Sequence, residues 1–155
     1  MQRTLQDDIR QRKPFTSRHQ EALLNVVRTS TTLLDKMEDL LKPYGISSTQ
    51  YNVLRILRGA EPKGLCRNEL RDRMLTRMPD VTRLLDRMEE VGLVGRSRDS
   101  DDRRLVSTRI TRAGRHLVDQ LDAPVGELHH RCLGHLSDTQ LRTLIDLLTL
   151  VRAGS

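Results

Sequence analysis

Arginines and a threonine crowd into one stretch of this chain at spacings that suit contact with a double-stranded nucleic acid. Arg77, Thr82, Arg83 and Arg87 lie beside Pro79 and Asp80, and Arg98, Arg103 and Arg104 flank an acidic turn, Asp99-Ser100-Asp101-Asp102. A guanidinium fork can bond a guanine edge through two parallel hydrogen bonds or hold a phosphate, and a threonine hydroxyl does either more weakly. Asp80 suits the positive end of a helix dipole, where it can cap the helix or orient Arg77 or Arg83. Pro79 and Met78 offer apolar surface to a thymine methyl, and Arg87, one turn deeper, is placed for the backbone. In the acidic turn the aspartates serve best by fixing the direction of their arginine neighbours through charge-assisted bonds. A stiffened turn can then carry an arginine into a narrow minor groove, where the potential is most negative.

Other chemistries have weaker support. His129, His130, Cys132 and His135 are close in sequence, and a turn of helix would bring His129 to Cys132. Gly134 and a nearby helix boundary interrupt that geometry and no fourth ligand is evident, so capping or interface histidines are expected and no metal. Cys66 and Cys132 are too few for a disulfide framework and read as buried or idle thiols. Neither a glycine-rich phosphate loop nor a Ser/His/Asp arrangement occurs, so no enzyme activity and no cofactor are expected. Phe15, Tyr44 and Tyr51 are the only aromatic residues, which excludes a stacking platform for single strands or RNA.

The net charge of +6 favours a polyanionic partner. Its distribution tempers that inference: residues 1–58 carry +4, while residues 67–104 carry only +1. Binding must therefore depend on where particular arginines point. The polar start Met1–Lys13 and the lack of a long apolar run give no signal peptide or membrane span, and the expectation is a cytoplasmic chain.

The elements that must position these side chains follow from periodicity. Residues 1–16, interrupted by Pro14, read as an N-terminal arm. Ser17 to Leu41 is a strong helix with a broad apolar stripe through Leu23, Val26, Val27, Leu33, Leu34, Met37 and Leu40. Ser17-x-x-Gln20, Ser47-x-x-Gln50 and Ser137-x-x-Gln140 are three capping-box signatures. The second opens a helix ending at Gly59, and the third opens a last apolar helix through Leu141, Leu144, Ile145, Leu147, Leu148 and Val151. A short helix is expected over Asn68–Met74. Another begins at Pro79, where a missing N–H is harmless, and buries Val81, Leu84, Leu85 and Met88. Two strands, Leu93–Arg98 and Leu105–Ile110, then enclose the acidic turn. Thr111 caps a long helix to about Cys132, with Pro124 and Gly126 marking a kink or break.

Short helix, tight connection, second helix and β-hairpin together describe a winged helix-turn-helix, in a mainly α chain with a small β-hairpin wing. The run from Asn68-Glu-Leu-Arg-Asp-Arg-Met74 through Asp80-Val-Thr-Arg-Leu-Leu-Asp-Arg-Met-Glu89, Gly92-Leu-Val94 and Asp102-Arg-Arg104 to Ile110-Thr-Arg-Ala-Gly114 resembles the MarR family. The helix Gln50–Leu57 fits the same pattern, and the likeness extends over about Ser17 to Val151. The resemblance implies a cytoplasmic homodimer and a division of labour along the chain. Residues 17–46 and 111–155 would supply dimerisation helices, and residues 47–110 a DNA-binding unit for half of a palindromic operator. It implies that Asp102 braces the wing and Arg104 enters the minor groove. Pro79 stands where many relatives carry serine, which removes one hydroxyl available to a phosphate. It further implies repression of a nearby promoter, with release by a small aromatic or amphipathic ligand in a pocket to which Arg28, Tyr51 and Arg55 are assigned. The alternatives are a winged-helix protein-interaction module and a DNA-binding protein without sequence preference.

Overall fold

The computed structural model describes residues 3–98 and 106–154. A short helix α1 (Leu5–Asp8) precedes α2 (Arg18–Leu41), which passes through a 3-10 turn into α3 (Ser48–Gly59). Then come β1 (Leu65–Cys66), α4 (Arg67–Arg73), α5 (Val81–Glu90), β2 (Val94–Arg98) and β3 (Val106–Ile110), and the chain ends in α6 (Arg112–Leu133) and α7 (Asp138–Ala153). This is a mainly helical winged fold, as the sequence pattern predicts.

Local chemistry explains most of the boundaries. The Ser47/Gln50 and Ser137/Gln140 boxes close in both directions, each side chain satisfying the other residue's free N–H. The first signature closes only halfway. Ser17 accepts from the Gln20 N–H, but the Gln20 amide oxygen turns back to the N–H and hydroxyl of Thr16, at 2.8 and 2.9 Å. The N-terminal arm holds α1, capped by a Thr4/Asp7 box that the periodicity did not reveal, with Leu5 buried. Pro124 does not end α6, since Arg112–Leu133 is continuous. An interior proline costs about 3 kcal/mol, and the buried neighbours Leu121, Val125 and Leu128 each return about 1.5–3 kcal/mol on burial.

The sheet has three strands in the order β1-β3-β2, all antiparallel, so the hairpin expected from sequence gains a third member. Leu65 and Cys66 pair with Thr108 and Ser107, and β2 pairs with β3 from Val94 opposite Ile110 to Arg98 opposite Val106. Gly64 enters β1 at φ +76°, and a Cβ there would collide with the Thr108 carbonyl oxygen. At the other end of the hairpin, the Thr111 hydroxyl donates to the Gly92 carbonyl at 2.6 Å and accepts from the Gly114 N–H. Gly114 has no room for a side chain, because a Cβ would strike the Leu93 carbonyl. The wing is therefore welded to the start of α6.

One core runs through the molecule, from Leu41, Tyr51, Leu54 and Leu57 through Leu70, Val81, Leu85 and Met88 to Val118 and Leu121. The flanking helices are different. On α2, Leu23, Val26, Val27 and Leu34 are exposed, and α7 buries no residue at all, leaving Ile145 61% and Leu150 69% exposed.

Candidate nucleic-acid interface

The connection between α4 and α5 is set from beneath. Leu70 on α4 and Val81, Leu85 and Met88 on α5 are buried side by side, and the Asn52 side-chain oxygen on α3 accepts the Leu75 N–H at 3.0 Å. With those anchors inside, the opposite face of α5 must look outward. Arg77, Pro79, Thr82, Arg83 and Arg87 are all exposed. Arg71, Asp72, Met74, Thr76, Arg77, Met78 and Pro79 line a cleft of about 470 Å³ along the connection.

Two sequence-derived assignments change in detail, and a third residue gains a partner. The helix begins at Val81 rather than Pro79, because Asp80 is its N-cap and accepts from the Arg83 N–H at 2.9 Å. Aspartate is among the strongest caps, whereas a proline cannot supply the missing acceptor. Met78 is half-buried against the core, so only Pro79 of that pair stays fully outside. Asp86 faces α5's outer side but is not a free anion: its carboxylate holds the Arg96 guanidinium at 2.7 Å.

Arg96, on β2, is the residue that joins wing and helix, and the sequence reading did not single it out. Its backbone N–H donates to Glu89 Oε1 at 3.0 Å, and its Nε to Glu89 Oε2 at 2.9 Å. The Glu89 carboxyl is held below its ordinary value by the side chain and then the N–H of Arg96, and the guanidinium is raised in turn, chiefly by Glu89. Glu89 to Arg96 spans a helix end, a glycine and a strand, a separation no periodicity reports.

Arg67 is a second omission. From the first turn of α4 its Nη1 donates to the Thr82 hydroxyl oxygen at 3.2 Å, so an exposed arginine joins the outer face of α5. Beside it, the Cys66 N–H donates to Glu69 at 2.9 Å, and that N–H, followed by the Cys66 thiol, lowers the Glu69 carboxyl.

Arg98 ends β2, exposed at the base of the wing. Asp102, Arg103 and Arg104 lie outside the described residues.

Of the residues assigned to a ligand pocket, Arg28 lies on α2 and Tyr51 and Arg55 on α3. Tyr51 is buried under α3, and burial raises its phenol above the usual tyrosine range, while Arg55 on the same helix is exposed. Arg28 instead lines a cleft of about 520 Å³ with Arg3, Leu5, Asp8 and Asn25, between the N-terminal arm and α2. His129, His130 and His135 are exposed and Cys132 is half-buried. Among the described residues no group of three or more His, Cys, Asp or Glu side chains could hold a metal ion.

The comparisons with known proteins agree with this geometry. Residues 46–106, which span α3 to the start of β3, match the MarR family. A MarR transcription factor from Planctomyces limnophilus is 39% identical, over 88% of this chain and 99% of that one, with a TM-score of 0.67. A mutant MarR from Escherichia coli complexed with operator DNA is 27% identical over 81% of this chain and 89% of its own, with a TM-score of 0.74. The transcriptional regulator FarR of Neisseria gonorrhoeae is 27% identical over 135 residues, 87% of this chain and 91% of that protein.

Proposed function

The chain belongs to the MarR family of DNA-binding transcription regulators, and from that membership we propose that it pairs with a second copy of itself to repress a nearby promoter. Each copy reads half of a palindromic operator. Residues 47–110 serve as the reading unit, and residues 17–46 and 111–155 supply the helices that pair the copies. The observation that carries this reading is the outer face of α5 and the connection before it, where Thr82, Arg83 and Arg87 on the helix and Arg77 ahead of it stand exposed while Asp80 caps the helix.

Entered N-terminal end first, α5 brings Arg77, Thr82 and Arg83 to base edges and Arg87 to the phosphates. The Arg96 bridge to Glu89 and Asp86 ties β2 to α5, so Arg98 at the end of that strand is carried toward the adjoining minor groove with the helix. In this reading Arg103 and Arg104 contact the same groove and Asp102 is their brace. Pairing follows from the uncovered apolar faces of α2 and α7, which one chain alone leaves in water. Two heads related by a two-fold axis require half-sites about 34 Å apart. An amphipathic ligand that changed this separation would release the DNA. Tyr51 and Arg55 lie on the helix where such a change would be transmitted, and Arg28 on the cleft beside α2.

Footprinting of the DNA next to the chain's own gene tests the reading. A two-fold symmetric protected region, lost in Arg83→Ala at unchanged fold, is expected. Protection that is asymmetric, or equally strong in Arg83→Ala, would refute it.

A further inference from the structure

Where the reading unit meets α6, charges alternate in a pattern that the contact with DNA does not use. Along α6 stand Arg115, Asp119 and Asp122, four and three residues apart and hence on one face. Each meets its opposite. Arg58, in the last turn of α3, donates from Nη1 to Asp119 at 2.7 Å and grips Asp122 through both terminal nitrogens at 2.8 and 2.9 Å. Glu61, just beyond α3, holds Arg115 at 2.8 Å. Arg58 is raised above the ordinary arginine value, first by Asp122 and then by Asp119.

Stability is a poor reason for this arrangement. The aspartates are 52% and 55% exposed and Arg115 is 52% exposed, and ion pairs in water contribute little to folding. Register is a better one. A slip of α3 by one turn along α6, about 5.4 Å, would set Glu61 against Asp119, or Arg58 against Arg115. Thr111 and Gly114 fix where the wing joins α6, and these ion pairs fix the other side of the unit, the end of α3, against the same helix.

We propose that Arg58 with Asp119 and Asp122, and Glu61 with Arg115, form a register lock that fixes the reading unit's place along α6 and so sets the half-site spacing the dimer accepts. The proposal rests on the paired reading above. Arg58 is a positioning residue: it touches no base, and its effect is carried by the angle and distance between two heads.

The test is a series of the footprinted operator with one or two base pairs inserted or removed between half-sites, bound by the full-length protein at fixed salt. The wild-type protein is expected to lose at least about tenfold in affinity per base pair of displacement, since each mismatch of helical phase misplaces one head. Arg58→Gln should flatten that profile to about threefold or less, while its thermal midpoint stays near wild type. Arg58→Lys, which keeps a cation for one carboxylate, should recover most of the steepness. Should Arg58→Gln fold poorly, the Asp119→Asn/Asp122→Asn variant makes the same comparison from the α6 side. A wild-type profile retained in these variants, even at lower overall affinity, would overturn the lock. A wild-type protein indifferent to spacing would instead overturn the paired reading, and the lock with it.

Discussion

The reading unit and the helices that flank it solve opposite problems. In the unit, Leu54, Leu57, Leu70 and Met88 are fully buried, and polar side chains such as Asn52, Asp80 and Arg96 hold its loops and hairpin in place. Its shape is complete in a single chain. The sequences of α2 and α7 also carry an apolar stripe, yet Leu23, Val27, Ile145 and Leu150 face solvent. The same periodicity thus marks two kinds of surface, one buried within the chain and one exposed, which the proposed pairing would cover.

Substitutions should separate the two regions. The largest effect is expected inside the unit: Leu57→Ala removes a fully buried side chain and should cost about 2–5 kcal/mol, read by denaturant unfolding at any protein concentration. Next comes the flank. Ile145→Glu with Leu147→Glu should leave the unit's fold intact but convert the protein to monomers in sedimentation, with operator affinity lower by about a hundredfold as the second contact is lost. If that variant unfolded in the manner of Leu57→Ala, the contrast between regions would fail.

Two smaller changes test the reading face. Arg83→Ala should lower operator affinity by about 1–3 kcal/mol with no change in melting, because the side chain is exposed. Asp80→Ala should do the reverse in part, costing about 1 kcal/mol of stability through the lost cap. The smallest effect concerns pH. Glu89 is held below the ordinary glutamate value of 4.5 by Arg96. Its contribution to stability is therefore present above pH 4.5 and lost as pH falls through the depressed value. Glu89→Gln should remove that acid-side dependence in thermal melts between pH 3 and 6, whereas an equally steep profile in the variant would place its origin elsewhere.

How much of this could be read in the sequence depends on the range of each interaction. Helices α2, α3, α6 and α7 and the caps at Ser47, Thr111 and Ser137 come from neighbours within four residues, and the hairpin from two short strand-like runs around a polar turn; all were legible. β1 was not, because two residues carry no periodicity and their pairing with Ser107 and Thr108 is remote. The start of α5 was misplaced by two residues, since proline and aspartate both announce a first turn and only the bond to Arg83 decides between them. The outward set on α5 was legible from its spacing, but Asp86 belongs to Arg96, a partner ten residues on across a turn. Arg67 beside Thr82 and Arg58 beside Asp122 are likewise tertiary facts, with no local signature.

A chain built around one finished unit and one unfinished flank should never meet its operator alone. The most direct test is the mass of the complex formed with a single operator duplex, measured by light scattering or native mass spectrometry. Two copies of the 17.9 kDa chain per duplex, bound together without a stable one-copy species, are predicted. A tight, sequence-specific complex holding a single copy would contradict the account.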